Sequence, residues 1–345
     1  MTRLEANAEA SAEDVQHASA SVGPRALRLE AREVPLGGVR AMEVRRILPH
    51  RDLPMVAAWC FLDRFGPQEA LMRVEPHPHI GLQTVTWPFD GEVHHRDSVG
   101  SDVVLERGAL NLMTSGAGIS HSEYSVGDDP IPLDALQLWI ALPDSRRHGE
   151  PLFERHTDLP TLELAGAEGR PSGTATVVMG ELAGVTSPAS AFTPIVGAEI
   201  TITRGATARI PLRRDWEYAL VGVFGNTLVR TDQDAGSAAD PAASESLTPQ
   251  QLLYLGTDRD HVDVTANDIS DHDGATLFLV GGEPFEDDIV MWWNFVGRTH
   301  DEIVDARDAW EAGSARFGHV VGHGDERVPA PPLPAVRLTP RRRRT

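Results

Sequence analysis

Two stretches decide how this chain is read: Pro76-His77-Pro78-His79-Ile80-Gly81, and Leu112-Met113-Thr114-Ser115-Gly116-Ala117-Gly118-Ile119-Ser120-His121-Ser122-Glu123. On an extended strand, residues i and i+2 point to the same face. His77 and His79 can therefore converge, and so can His121 and Glu123. Pro78 stiffens the first pair and keeps His77 extended. The glycines before the second pair suit a tight turn that presents His121. If the two strands face each other inside a barrel, they offer three imidazoles and one carboxylate to a single ion. A donor set of this kind, without thiolate, suits iron, nickel, copper, zinc or manganese. A lone His-x-His is usually an accident of surface or core. Two such pairs flanking one β-region are harder to explain that way.

Working outward, the body of the chain reads as short strands. Thr84-Val85-Thr86-Trp87 is β-branched and aromatic, and Asp90-Gly91 follows as a turn signal. Residues 109–114, 119–125 and 135–142 are short apolar or alternating runs, as are 174–178, 199–203, 216–224, 252–255, 261–265 and 276–280. Many short strands with turn signals between them predict an all-β sandwich or barrel. The segment from Phe89 resembles the one from Phe224, and apolar strands at 136–142 and 276–282 close each half. This echo points to two copies of one β-domain. A chain of 345 residues also suits two domains, at about 150 residues each. One helix is signalled near the end. Thr299-His300-Asp301-Glu302 is a capping box, Ile303, Ala306 and Trp310 follow at helical spacing, and Gly313 is a stop.

Composition removes several classes. The 31 basic residues against 51 acidic ones give a net charge of −20, the opposite of a nucleic-acid or anionic-membrane footprint. Every basic residue is Arg. Without lysine there is no Schiff base, no Walker A lysine and no kinase strand lysine. The single Cys60 allows no intramolecular disulfide or Cys-based zinc site, and a cytoplasmic location is expected. No apolar run reaches membrane-spanning length. Ser120-His121-Ser122 lacks the G-x-S-x-G elbow, and Gly116-Ala117-Gly118 opens no helical pattern as a dinucleotide loop would. Of His94 and His95, successive on a strand, at most one points inward; a supporting or substrate role falls to His95. The scattered histidines, His323 among them, carry no functional reading.

Taken jointly, these motifs resemble the pirins, a family of the cupin superfamily. The match runs through Pro76 to Gly81, Thr84-Val85, Asp90-Gly91, His95-Arg96-Asp97-Ser98, the stretch Leu112 to Glu123, and Leu136-Gln137-Leu138-Trp139. Leu279-Val280-Gly281-Gly282-Glu283-Pro284 and Asn294-Phe295-Val296 resemble the family's C-terminal signature. The resemblance implies two cupin barrels (double-stranded β-helix, or jelly-roll) in one chain, with a C-terminal helix. The expected plan is a disordered leader over 1–24, a metal-bearing N-terminal domain over 25–150, and a metal-free C-terminal domain over 165–325 with a helix at 299–312. A disordered Pro/Arg tail over 326–345 completes it. The region matching the metal site in the second half is expected around Val229 to Thr231 and onward, and it lacks both His pairs.

The resemblance further implies one divalent metal, usually iron(II), held by His77, His79, His121 and Glu123. Pirins of this kind are linked to quercetin 2,3-dioxygenase activity, which opens a flavonol ring with O2. Glu123 would then serve as ligand and as proton acceptor, in an apolar cavity whose entrance Trp87 or Phe89 could line. A second expectation, of another class, is a redox-sensitive metal protein that binds a protein partner without turnover. Oxygen uptake with quercetin separates the two.

Overall fold

A computed structural model describes residues 23–35, 43–166, 169–231, 244–267 and 273–340. The expected leader up to residue 22, most of the Asp234 to Pro249 loop and the Arg341 to Arg344 run lie outside the described residues. Apart from the helix His300–Glu311 and a short 3-10 turn, Ala315–Phe317, the described elements are strands.

The strands form two barrels of one design. In the first, a large sheet has the spatial order Leu152–His156, Leu110–Thr114, Leu82–Asp90, Ile131–Ala141, Trp59–Ala70, Glu43–Leu48, Arg32–Pro35. Its companion sheet runs Arg73–His79, Ile119–Ser125, Val93–Asp97, Asp102–Leu105. In the second, the large sheet runs Pro24–Glu30, Gln251–Gly256, Glu217–Phe224, Gly274–Gly282, Ile195–Thr203, Pro171–Leu182, Thr161–Ala165. Its companion runs Thr207–Pro211, His261–Ala266, Thr227–Arg230, Ser244–Leu247. The two orders correspond strand for strand, which is the physical content of the sequence echo.

That correspondence corrects two expectations. The edge strand of the second barrel is Pro24–Glu30, from the start of the chain, paired antiparallel with Gln251–Gly256. The edge strand of the first is Leu152–His156, beyond residue 150. Each of these two edge strands lies outside the limits expected for its own domain, 165–325 and 25–150. The strands matching the metal motifs are Thr207–Pro211, which precedes the expected region, and His261–Ala266, whose Val264 stands opposite Val229; Ala208, Ile210, Val262 and Val264 are buried in an apolar interior with Val177, Leu220 and Leu279.

Alternation along the strands sorts their side chains into layers. Val85, Trp87, Leu112, Leu136 and Leu138 leave the first barrel to meet Val221, Leu252, Phe278 and Val280 of the second. The two large sheets thus pack back to back, and Trp59 Nε1 donates across the seam to the carbonyls of Val196 (3.1 Å) and Gly281 (3.2 Å). Trp87 and Phe89 belong to this seam: Trp87 Nε1 donates to Glu199 Oε2 at 2.7 Å, and Phe89 meets Phe224 edge-on. They are not the cavity entrance.

The C-terminal segment returns to the first barrel. Thr299 caps the helix by accepting from Glu302 N, and Ile303, Ala306 and Trp310 form its buried face. The Glu302 carboxylate accepts instead from Arg298 N and from Arg147. Ile303, Ala306 and Trp310 pack with Ile80, Phe295 and Phe317 over the outside of the first barrel. The tail was expected to be disordered, yet residues 327–340 lie along this surface. Val328 N donates to Pro76 O at 2.8 Å, Trp310 Nε1 to Val328 O at 2.9 Å, and Ala330 is buried. Its proline-rich composition excludes helix and sheet ladders but not packing of an extended chain.

One buried ion pair spans the seam. Arg64 donates to both oxygens of Asp134, at 2.8 and 2.6 Å, and its third nitrogen donates to Val223 O of the second barrel. Arg64 is 1% and Asp134 2% exposed. Removing one partner strands a charge away from water and costs about 3–5 kcal/mol. Asp134→Ala should therefore lose about that much stability in denaturant unfolding, whereas the apolar pair Arg64→Met/Asp134→Leu should lose clearly less.

Candidate metal centre

The companion sheet of the first barrel carries the site. In the ladder between Ile119–Ser125 and Arg73–His79, His121 stands opposite His77 and Ile119 opposite His79. The register shifts between His121 and Glu123. On its other edge the same strand places Glu123 opposite His95 and His121 opposite Asp97. Paired residues share a face, so the four histidines, Asp97 and Glu123 all turn into the barrel. His94, one residue on, turns outward to Asp102.

Two glycines make this possible. Gly116 has φ +50, and a Cβ there would sit 2.1 Å from the Gly149 carbonyl oxygen. The turn closes with Gly118 N donating to Ser115 O at 3.0 Å, just before the His121 strand. Gly81, with φ +69, lets the Val296 carbonyl approach the end of the His77 strand.

His77, His79 and His121 are buried, and their ligand atoms lie within 4.8 Å of one another. His95, His121 and Glu123 form a second such group sharing His121. Of the sequence-expected quartet, the three imidazoles come together, whereas Glu123 groups with His95 and His121 rather than with His77 and His79. His95, given a supporting role from sequence, stands against both His121 and Glu123.

Hydrogen bonds decide which nitrogens face inward. His77 Nδ1 lies 2.9 Å from Glu75 O, and His79 Nδ1 3.1 Å from Asn294 O. A carbonyl only accepts, so each Nδ1 carries the proton and each Nε2 is left with a lone pair. His79 Nε2 and His121 Nε2 stand 3.1 Å apart. Two nitrogens about 2.1 Å from one ion, at right angles, lie about 3 Å apart. Burial pushes His77 down to about 4 and His79 and His121 well below their ordinary value, each helped by the neighbouring imidazoles. Neutral, buried, mutually facing donors fit a metal ion. Burial pushes Glu123 the other way, above the usual carboxylate range, opposed by His95 and by a hydrogen bond from Thr86.

The wall facing this cluster is aromatic. Trp139 stands edge-on to His79 at 5.2 Å between ring centroids, and Phe61 stacks on Trp139 at 4.0 Å. Arg46 caps Phe61 and holds the buried Asp63 with two 2.8 Å hydrogen bonds.

Sequence reasoning missed several parts of the site. The Asn294 carbonyl comes from a hairpin more than two hundred residues away from His79, and no local signal announces it. Asp97 had a signal, the His95-x-Asp97 spacing. His323 is drawn in too: its Nε2 lies 2.9 Å from Ser122 Oγ, on the outward face of the His121 strand. Trp139, rather than Trp87 or Phe89, is the aromatic beside His79, and Phe61 stacks on it.

The comparisons agree with this geometry. The pirin family model matches residues 40–140 and that of the pirin C-terminal cupin domain residues 197–318. A Pseudomonas aeruginosa protein provisionally named a quercetin 2,3-dioxygenase is 39% identical over 311 residues, covering 89% of this chain and 90% of its own. A crystal structure titled quercetin 2,3-dioxygenase from Acinetobacter baumannii is 36% identical with a TM-score of 0.79, covering 91% of this chain and 97% of its own. A bacterial pirin from Escherichia coli, crystallised in complex with nickel(II), shares the fold at 14% identity and a TM-score of 0.52, covering 75% of this chain and 100% of its own. The chain therefore belongs to the pirin family, with two cupin domains and a buried histidine cluster in the first.

Proposed function

We propose that this pirin is a metal-dependent dioxygenase that opens a flavonol such as quercetin at the 2,3-bond with O2. His77, His79, His121 and Glu123 hold one divalent ion, iron(II), in the first barrel. The observation that supports this reading is the convergence of three buried imidazoles, His77, His79 and His121, with the Glu123 carboxylate, whose pKa burial raises, grouped with His121 on the side of His95. When bound, the ion supplies Lewis acidity toward a flavonol hydroxyl. The residues around it do the rest. His77 and His79 are held by backbone carbonyls and stay in place as donors. Glu123, on the far side of His121, accepts the hydroxyl proton, and its raised pKa makes it a stronger base than an exposed carboxylate. The Thr86 hydroxyl beside that carboxylate works against the effect of burial and lowers its pKa. Trp139, edge-on to His79 and backed by Phe61, makes the wall beside the imidazoles apolar, which suits a planar aromatic substrate. Cys60, the single cysteine of the chain, is buried with its thiol donating to Trp139 O at 3.6 Å, which fits the cytoplasm as the compartment.

Three measurements test this reading. Metal analysis should give one ion per chain, lost in the His77→Ala/His121→Ala variant; two ions per chain, or full retention in that variant, contradicts it. Glu123→Gln keeps shape and an oxygen but loses charge and most basicity. It should retain most of its iron and lose at least about a hundredfold in oxygen uptake with quercetin. Wild-type turnover by this variant would remove Glu123 as base. If loaded wild type turns over no flavonol, the dioxygenase reading fails and a partner-binding role takes its place.

The third measurement is the pH dependence of stability without metal. Unfolded histidines titrate near 6.5, whereas His77 in the fold titrates at about 4 and its two neighbours well below 6.5. Between those values the unfolded chain binds more protons, so stability falls as pH drops. Each group contributes about 1.4 kcal/mol per pH unit inside its window. The denaturant midpoint of metal-free protein should fall between pH 7 and pH 5, and less steeply in His77→Ala.

A further inference from the structure

His121 is the one imidazole of the cluster without a backbone carbonyl on its second nitrogen. Its Nδ1 faces His95 Nδ1 instead, at 3.3 Å. His95 Nε2 lies 3.1 Å from Asp97 Oδ2. All three groups are buried, with His95 3% and Asp97 2% exposed. The His95 ring is stacked on Phe153 at 4.7 Å, which fixes its plane. Asp97 is fixed as well, because its Oδ1 accepts from Val99 N at 3.0 Å and Ser101 N at 2.9 Å.

Donor and acceptor rules propagate along this row. A carboxylate only accepts, so His95 Nε2 carries a proton. In a neutral ring His95 Nδ1 is then a lone pair. The contact with His121 needs a donor, so His121 Nδ1 carries the proton and His121 Nε2 does not. His121 Nε2 is the atom that faces His79 Nε2.

We propose that Asp97 and His95 are positioning residues that hold His121 in its Nδ1–H tautomer and so aim a third Nε2 lone pair at the site formed with His77 and His79. A direct carboxylate or carbonyl partner would do the same for one ring. Here the instruction passes through a second imidazole, because the strand pairing puts Asp97 opposite His121 while its side chain turns to His95. The proposal rests on the reading of His121 as a ligand, but its first test is made on metal-free protein and can fail while that reading stands.

The Asp97→Asn variant is the sharpest probe. Its Oδ1 can still accept from Val99 and Ser101, while an amide NH2 replaces Oδ2 and donates to His95 Nε2. The row then reverses: His95 donates from Nδ1, and the His121 proton moves to Nε2, where it blocks the lone pair. Long-range 1H–15N correlation on the metal-free full chain should show Nδ1–H for His121 in wild type and Nε2–H in Asp97→Asn. Metal affinity, measured by chelator competition, should fall about 10–100-fold in Asp97→Asn. His95→Phe keeps the Phe153 stack but removes the acceptor, and should fall by a similar factor. His95→Gln restores a donor and an acceptor on one side chain and should bind close to wild type. Unfolding midpoints check that each variant is folded; if His95→Phe is not, Asp97→Asn and His95→Gln carry the test. An unchanged His121 tautomer in Asp97→Asn overturns the proposal, as does wild-type affinity in His95→Phe. Loss of one nitrogen neighbour by X-ray absorption in metal-loaded His95→Gln also overturns it, since His95 would then be a ligand itself.

Discussion

The antiparallel pairing that sets His121 opposite His77 is the contact from which the site follows. Once those two strands are in register, alternation sends His77, His79, His121 and Glu123 into the barrel and Ser122 and Tyr124 out of it. A slip of one residue would turn these side chains to the surface and the serine inward. The register is held from both ends: by the Gly116 turn pressed on the Gly149 carbonyl, and by Gly81 pressed on that of Val296. The surrounding sheets determine where each ring lies.

Those sheets are steadied by packing that has nothing to do with chemistry. The two barrels share one apolar seam, in which Trp59, Val85 and Leu138 meet Val221, Phe278 and Val280. Because one face of the first large sheet is given to this seam, the opposite face is left for Phe61, Asp63, Thr86, Gln137 and Trp139. The second barrel fills the corresponding interior with Val, Leu, Ile and Ala. Duplication thus produced one barrel that is packed solid and one whose centre is polar, and the solid one braces the other.

The chain ends bind the halves more tightly than a linker would. A strand from the beginning closes the sheet of the second barrel, and the hairpin, helix and tail from the end cover the first. The covering segment also reaches the site, since Asn294 O orients His79 and His323 holds Ser122 from outside. A buried imidazole needs its second nitrogen satisfied, and here distant chain supplies what the barrel strands do not.

Much of this was legible in the amino-acid order. Strand alternation is a local property with a period of two, so the runs at 84–87, 119–125 and 135–142 announced their strands, and the i,i+2 spacing announced the inward histidines. The Thr299 cap was legible for the same reason: it is satisfied within one turn of helix. The His95-x-Asp97 pair was visible but ambiguous, because spacing says which face a residue takes and not what it meets there. Only the tertiary structure decided that Trp87 and Phe89 face the other barrel while Trp139 stands beside His79. It alone brought Asn294 to His79, placed Pro24–Glu30 in the far sheet and laid residues 327–340 on the helix. These are contacts between segments hundreds of residues apart, set by which apolar faces can be buried together, and no local pattern encodes them.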